Sequence, residues 1–246
     1  NSGKQPNFLS NSINNKGSIA FYKNLQSHMI TNPYSTGSEE LTVVAVFKKG
    51  VNDDSGKVYY HNSISIHHGH IGGASTFGAH NWRSGYYGRI NEDVLDDDVT
   101  SLGSYRYHKD DKAQLNFNGP QVGEDTSVSY SIDSSSSAKY IGVHPAGTVA
   151  FFEGQIAELL VFNSALSDPE LIMVNSYLSQ KWGLTGSVDS DGDGTVDAAD
   201  ADADGSGVAD AEELASEDLL DGNADSDGDG MSNADEIAAG TDPTDA

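Results

Sequence analysis

Within residues 225–236, oxygen-bearing side chains fall at the first, third, fifth, ninth and twelfth positions of a loop: Asp225, Asp227, Asp229, Asn233 and Glu236. Gly230 holds the sixth position, and Met231 offers its carbonyl from the seventh. That spacing wraps about six to eight hard oxygens around one ion, which is what calcium requires. The glycine serves a sharp turn that a Cβ would resist. Residues 202–213 repeat the pattern with Asp202, Asp204, Ser206, Asp210 and Glu213, with Gly207 at the sixth position and the Val208 carbonyl at the seventh. Residues 189–200 repeat it again with Asp189, Asp191, Asp193, Asp197 and Asp200, with Gly194 sixth and the Thr195 carbonyl seventh. Asp200 is one methylene shorter than a glutamate, so its two-oxygen closure is the weakest of the three. A solvated acidic tail is the competing reading of any charge run. Such a tail has no use for a glycine at the same place three times. About three calcium ions are expected.

The charge distribution agrees. The chain has 246 residues and a formal net charge of −25. Residues 185–246 hold 20 of its 38 acidic residues and none of its 13 lysines and arginines. A nearly neutral body is therefore joined to an acidic end that repels itself until cations fill it. No basic patch exists to release counter-ions from a phosphate backbone, so nucleic acid is not an expected partner. There is no cysteine, hence no disulfide and no thiolate metal site. No apolar run approaches the length of a membrane span, and the first residues do not form a signal peptide, so membrane insertion is not expected. Loops of this kind suit millimolar extracellular calcium, and the expected location is extracellular or at a cell surface, as a processed form or excised fragment.

A second candidate surface combines His67, His68 and His70 with residues 80–89, where His80, Trp82, Arg83, Tyr86 and Tyr87 set aromatic faces beside hydrogen-bonding groups. Such a surface suits a sugar ring. The competing reading is alternate core and solvated positions of ordinary strands. Zinc on the histidines is disfavoured, because adjacent residues of a strand point to opposite faces. Asp96, Asp97 and Asp98 form either a further cation site or a loop.

The elements that must position these residues are mostly strands. Short β-branched or alternating runs at 18–22, 41–47, 57–60, 63–67, 105–108, 113–118, 127–132, 139–143 and 155–162 are separated by Gly, Ser, Asn and Asp clusters. This pattern predicts a mainly β fold, a jelly-roll sandwich over residues 1–184. One helix comes after it. Ser167 and Glu170 form a capping box around Pro169, Leu171, Val174, Leu178 and Trp182 recur at helical spacing, and Gly183 ends it. That helix should pack on the sheet. Residues 185–246 form the calcium-loop segment, with short helices expected at 211–220 and 234–239.

Residues 154–170, with Tyr177-Leu178 and the run Lys181-Trp-Gly-Leu184, resemble the closing strand and helix of laminin-G-like, concanavalin A-like jelly rolls of bacterial secreted proteins. Residues 5–9 and 17–21 resemble that family's opening strands, and 113–119 its central hairpin. The acidic end is similar to thrombospondin type 3 repeats, including Gly240-Thr-Asp-Pro243, and to the EF-hand-like loops of dockerins. Members of the jelly-roll family carry a further β segment ahead of the Gln-Pro pair. Here only four residues precede it, so either the chain is cut short or a sheet edge is open; an open edge would need covering, and a strand from a second copy would cover it and give a homopolymer.

The resemblance also implies where catalysis would lie. Glycoside hydrolases of the superfamily use Glu-x-Asp-x-x-Glu on one strand, and residues 1–184 contain no Glu-x-Asp. Glu153 and Glu158, five apart, should face opposite sides of a strand. No catalytic residues are expected. The leading expectation is a non-catalytic adhesion module that recognises a glycan or surface protein, with the calcium repeats as a stiff stalk. The alternatives are a self-assembling subunit of a filament or coat, and an ancillary domain of a polysaccharide-degrading enzyme.

Overall fold

The computed structural model describes residues 4–35, 37–51, 55–61, 64–69, 76–83, 86–126, 128, 132, 137–147, 149–207, 209 and 210; at 55, 69, 80–83 and 86–93 the description is of the backbone path. Among these residues the strands are β1 (Asn7–Ile13), β2 (Lys16–Phe21), β3 (Met29–Ile30), β4 (Glu40–Lys49), β5 (Ser55–His61), β6 (Ile64–Gly69), β7 (Thr76–Arg83), β8 (Tyr86–Asp93), β9 (Thr100–His108), β10 (Ala113–Phe117), β11 (Gln121–Asp125), β12 (Lys139–Ile141) and β13 (Gly154–Phe162). The helix α1 is Asp168–Trp182.

They form two antiparallel sheets, ordered β1-β2-β13-β4-β9-β10-β11 and β3-β12-β5-β6-β7-β8. The expected sandwich is present. Its central strand β4 explains why Leu41-Thr-Val-Val-Ala-Val-Phe47 is apolar without alternation. Leu41, Val43, Ala45 and Phe47 enter the core between the sheets. Val44 and Val46 enter a second core on the outer face, roofed by Leu171, Leu178 and Trp182 of α1. A strand covered on both faces reads as a continuous apolar run.

In the inter-sheet core, Phe77 stacks on Phe47 with ring centroids 5.6 Å apart and leans on Phe117 at the same distance. The space Phe77 occupies is the space a Cβ on Gly103 would need. That glycine is there for room.

The helix is built as expected. The Ser167 hydroxyl accepts from the Glu170 amide, the Glu170 carboxylate accepts from the Ser167 amide at 2.7 Å, and Gly183 closes the helix at φ 65°. The β1–β2 hairpin reaches across to it. Its two turn residues, Asn14 and Asn15, have φ of 45° and 61°, the left-handed pair of a tight hairpin. Asn14 donates its side-chain amide to the Trp182 and Gly183 carbonyls. Those carbonyls have no partner within the helix, so the hairpin caps its end.

Two readings change. First, alternation was expected to place Glu153 and Glu158 on opposite faces. A β-bulge between Ile156 and Glu158 resets the register against β4, so Ala157 and Glu158 both turn to the helix side. Glu153 precedes β13 and lines a shallow depression with Lys48 and Gln155, so strand alternation does not relate the two glutamates. Second, β3, β7, β8 and β11 lie outside the runs expected as strands, and β3 and β11 carry no strong sequence signal. Both are edge strands with little to bury, and edge strands need few apolar residues. The expected strand at 127–132 and the expected helices at 211–220 and 234–239 lie largely or wholly outside the described residues, although Val128 and Ile132 are buried in the core.

Candidate metal centre

The first acidic loop continues from α1 without a gap in packing. Leu184 and Val188 belong to the helix-side core, and Val188 is fully buried. The Asp189 carboxylate accepts from the Gly192 amide at 2.8 Å and the Gly194 amide at 3.0 Å. The Asp193 amide donates to Asp191 at 3.0 Å, and the Thr195 amide to Asp193 at 2.7 Å. These short side-chain-to-backbone turns curl the loop around its own carboxylates. Oxygens of Asp189, Asp191 and Asp193 then lie within 4.8 Å of one another. Gly194 makes its turn at φ 101°, a conformation that a side chain would resist.

The second loop is built alike, thirteen residues on. Asp202 accepts from the Ser206 amide at 3.0 Å and the Gly207 amide at 2.9 Å, and Asp204 accepts from Ser206 at 3.0 Å. In the first loop the Asp197 amide donates to the Val188 carbonyl at 2.8 Å, and in the second the Asp210 amide donates to the Ala201 carbonyl at 2.8 Å. The Asp197 carboxylate accepts from the Ser190 amide at 2.8 Å and the Ser190 hydroxyl at 2.9 Å, and Asp210 accepts from the Ala203 amide at 2.8 Å. The ninth-position carboxylates are thus braces across the loop base. Ser190 is the partner that residue spacing alone did not identify.

Asp200, at the twelfth position, accepts from the Asp202 amide at 3.0 Å and lies close enough to Asp191 to repel its charge. Partial burial first, then the carboxylates of Asp193, Asp200 and Asp189, hold the Asp191 carboxyl above its ordinary range, against the lowering pull of the Asp193 amide. Bringing anions together in this way is unfavourable until a cation joins them. The donors are hard oxygens, and they fit a calcium-type ion.

Val208, Glu213 and the third loop, with Asp225, Asp227, Asp229, Met231, Asn233 and Glu236, lie outside the described residues. The Asp96–Asp98 run resolves into a loop. Asp97 pairs with the buried Lys49, and Asp98 pairs with Lys48 at 2.9 Å, so lysines of β4 neutralise both.

The histidine surface is corrected. His67 and His68 are buried, at 1% and 0% exposure, and so are not open to a ligand. They do divide between faces. His68 packs against Phe152 in the inter-sheet core at 5.4 Å, and the His67 ring faces the Ser65 hydroxyl at 3.4 Å. His70 lies outside the described residues. The backbone ladder of β7 and β8 pairs Trp82 with Tyr87, Arg83 with Tyr86, and His80 with both Ser65 and Arg89.

Glu158 of the closing strand and Glu153, just ahead of it, are both held by neighbouring groups. Glu158 accepts from the Trp182 indole at 2.6 Å and from Lys181 at 2.8 Å, and Glu153 accepts from the Lys23 amide at 2.6 Å. Among the described residues no helix is long and apolar enough to cross a membrane.

Similar folds occur in bacterial proteins. The chain superposes on the NanB sialidase of Streptococcus pneumoniae with a TM-score of 0.51 at 19% identity, covering 62% of this chain and 26% of that one. For the binding domain of Paraclostridial Mosquitocidal Protein 1 the values are 0.54, 13%, 71% and 46%. For the receptor binding domain of botulinum neurotoxin C/D mosaic serotype they are 0.53, 12%, 72% and 47%. The chain thus spans between about a quarter and a half of the length of these proteins, and at such identities the likeness is one of fold. No curated protein sequence matches significantly. Residues 225–246 match the bacterial TSP3 repeat. Residues 23–172 match the laminin-G-type model of the concanavalin A-like lectin/glucanases superfamily, and over that sandwich the chain belongs to this superfamily.

Proposed function

We propose that the chain is a non-catalytic extracellular binding module. Its sandwich recognises a glycan or a surface protein, and residues 185–246 hold about three calcium ions that stiffen them into a stalk. The observation that carries the calcium part is the convergence of Asp189, Asp191 and Asp193, repeated in its hydrogen bonds by the second loop. The proposed ligands are the first, third, fifth, seventh, ninth and twelfth positions of the three loops, with Asp189, Asp191 and Asp193 the set that converges. When bound, the ion supplies charge neutralisation and cross-linking. The chain's own part is to hold the first carboxylate with two loop amides and brace the loop base through the ninth position.

The binding role is supported by the lectins of the concanavalin A-like lectin/glucanases superfamily and by toxin binding domains with the same fold. The proposed contact surface is the β7–β8 hairpin, with His80, Trp82, Arg83, Tyr86 and Tyr87. Glycan-array binding of the full chain in calcium tests this, with Trp82→Ala as the variant. Retained far-ultraviolet dichroism together with lost binding supports the assignment; undiminished binding removes it.

The second reading, a self-assembling subunit, is favoured by one observation. β1 ends its sheet with no described strand beyond it, and Phe8 on it is 68% exposed. A second copy could add a strand there. Light scattering at physiological calcium decides: a monomer excludes the polymer.

A further inference from the structure

We propose that the β10–β11 turn, Asn118-Gly119, is a positioning element for the first cation loop, so that an ion held by Asp189, Asp191 and Asp193 stabilises the sandwich itself. This rests on the calcium reading of the proposed function and adds the coupling of one ion to the folded body.

The seat is built from backbone. The Asp189 amide donates to the Asn118 carbonyl at 2.9 Å. Gly119 lies at φ 107°, and its missing side chain leaves the space in which the Asp189 carbonyl oxygen rests. The seat is itself fixed. The Asn118 amide donates to the Leu102 carbonyl at 2.7 Å, the Leu102 amide donates to the Asn118 side-chain oxygen at 2.9 Å, and the Asn116 side chain donates to the Gly119 carbonyl at 3.1 Å. Leu102 and Val188 share the helix-side core, which closes the circuit from Asp189 back to itself through β9. From the other end, the Asp197 amide returns to Val188 and the Ala198 amide to Thr185 at 2.9 Å.

The second loop anchors the backbone of its first residue differently. The Asp202 amide donates to Asp200, within the acidic segment. The first loop alone, of the two described, has its first ligand fastened to the sandwich. Fastening one ligand in advance lowers the ordering cost of closing the cage. The coupling is reciprocal, so the ion must strengthen the seat by as much as the seat strengthens the ion.

The test uses the full chain, with calcium chloride or a chelator as the probe. Calorimetric titration counts and ranks the ions, and near-ultraviolet dichroism monitors sandwich melting. At a hundredfold excess of calcium over Kd, linkage raises the melting temperature by roughly 5–10 °C. Asp193→Ala should remove one ion and that rise together. Gly119→Ala should weaken that ion about tenfold, the scale of a lost support beyond the ligands themselves, and shrink the rise. Amide exchange on the unaltered chain provides a second measurement should Gly119→Ala not fold: calcium should slow exchange at Leu102, Asn118 and Asp189. If Asp193→Ala removes an ion while calcium leaves melting and those amides unchanged, the coupling is wrong and the calcium reading stands. If Asp193→Ala leaves the titration untouched, the calcium reading of this loop fails and the coupling fails with it.

Discussion

Glu158 accepts the Trp182 indole N–H at 2.6 Å, across the seam between the closing strand and the helix that covers it. The same carboxylate takes the Lys181 ammonium at 2.8 Å on its other oxygen. One side chain therefore fastens the last turn of α1 to β13, and it can do so because the bulge at Ala157 turns it to the helix side.

Glu158→Ala leaves a buried indole donor without its acceptor. The expected loss is about 1–3 kcal/mol of unfolding free energy, the cost of an unsatisfied buried donor. Glu158→Gln, which keeps an acceptor for the indole, should lose less. Urea unfolding of both variants checks the order.

Gly103→Ala forces a methyl into the Phe77 ring, which is wedged between Phe47 and Phe117. Overpacking of this kind costs about 1–3 kcal/mol. Adding Phe77→Leu to the variant should recover part of the loss, a non-additivity that a double-mutant cycle would show.

His144 has its pKa lowered, by burial first and by the Lys57 charge second. Its ring packs edge-on to Tyr60 at 5.3 Å. The unfolded chain therefore takes up a proton at this residue at higher pH than the folded one. The contribution to stability is present above the ordinary value of 6.5 and is lost as pH falls from there towards the folded value. Stability measured from pH 7.5 to 5 should fall, and His144→Gln should flatten that part of the curve.

Ser167→Ala removes the hydroxyl that accepts from Glu170, and about 1 kcal/mol of stability with it. The Glu170 carboxyl, held below its ordinary range by the Ser167 hydroxyl and amide, should then titrate closer to 4.5. Carboxyl-selective NMR titration reads this directly.

Chelation should expand the acidic end. With 20 acids and no lysine or arginine over residues 185–246, the repulsion returns once the cations leave. Small-angle scattering with and without a chelator should show a larger radius of gyration in the chelator. An unchanged profile, with calcium bound beforehand, would count against the cages.

The central strand and the helix could be read from residue order because their signals are local. Leu41–Phe47 is apolar but for Thr42, and Ser167, Glu170 and Gly183 mark both helix ends. The clustering of Asp189, Asp191 and Asp193 was legible because residue type and interval recur together along the acidic segment, and their oxygens do converge. What could not be read depends on partners distant in sequence. Nothing around Glu158 announces a bulge, since the register is set against β4, more than a hundred residues earlier. Asn118 and Gly119 look like any hairpin turn until Asp189 arrives beside them. His67 and His68 promise a surface by composition, and burial decides otherwise.

The bonds around Asp189 recur around Asp202, thirteen residues on, each loop closing on itself through its own amides and its own ninth carboxylate. The two copies are also joined: the Asp202 amide donates to the Asp200 carboxylate, and Gly205 lies against the Asp191 side chain. A tether on the first copy therefore reaches the second through the acidic segment itself.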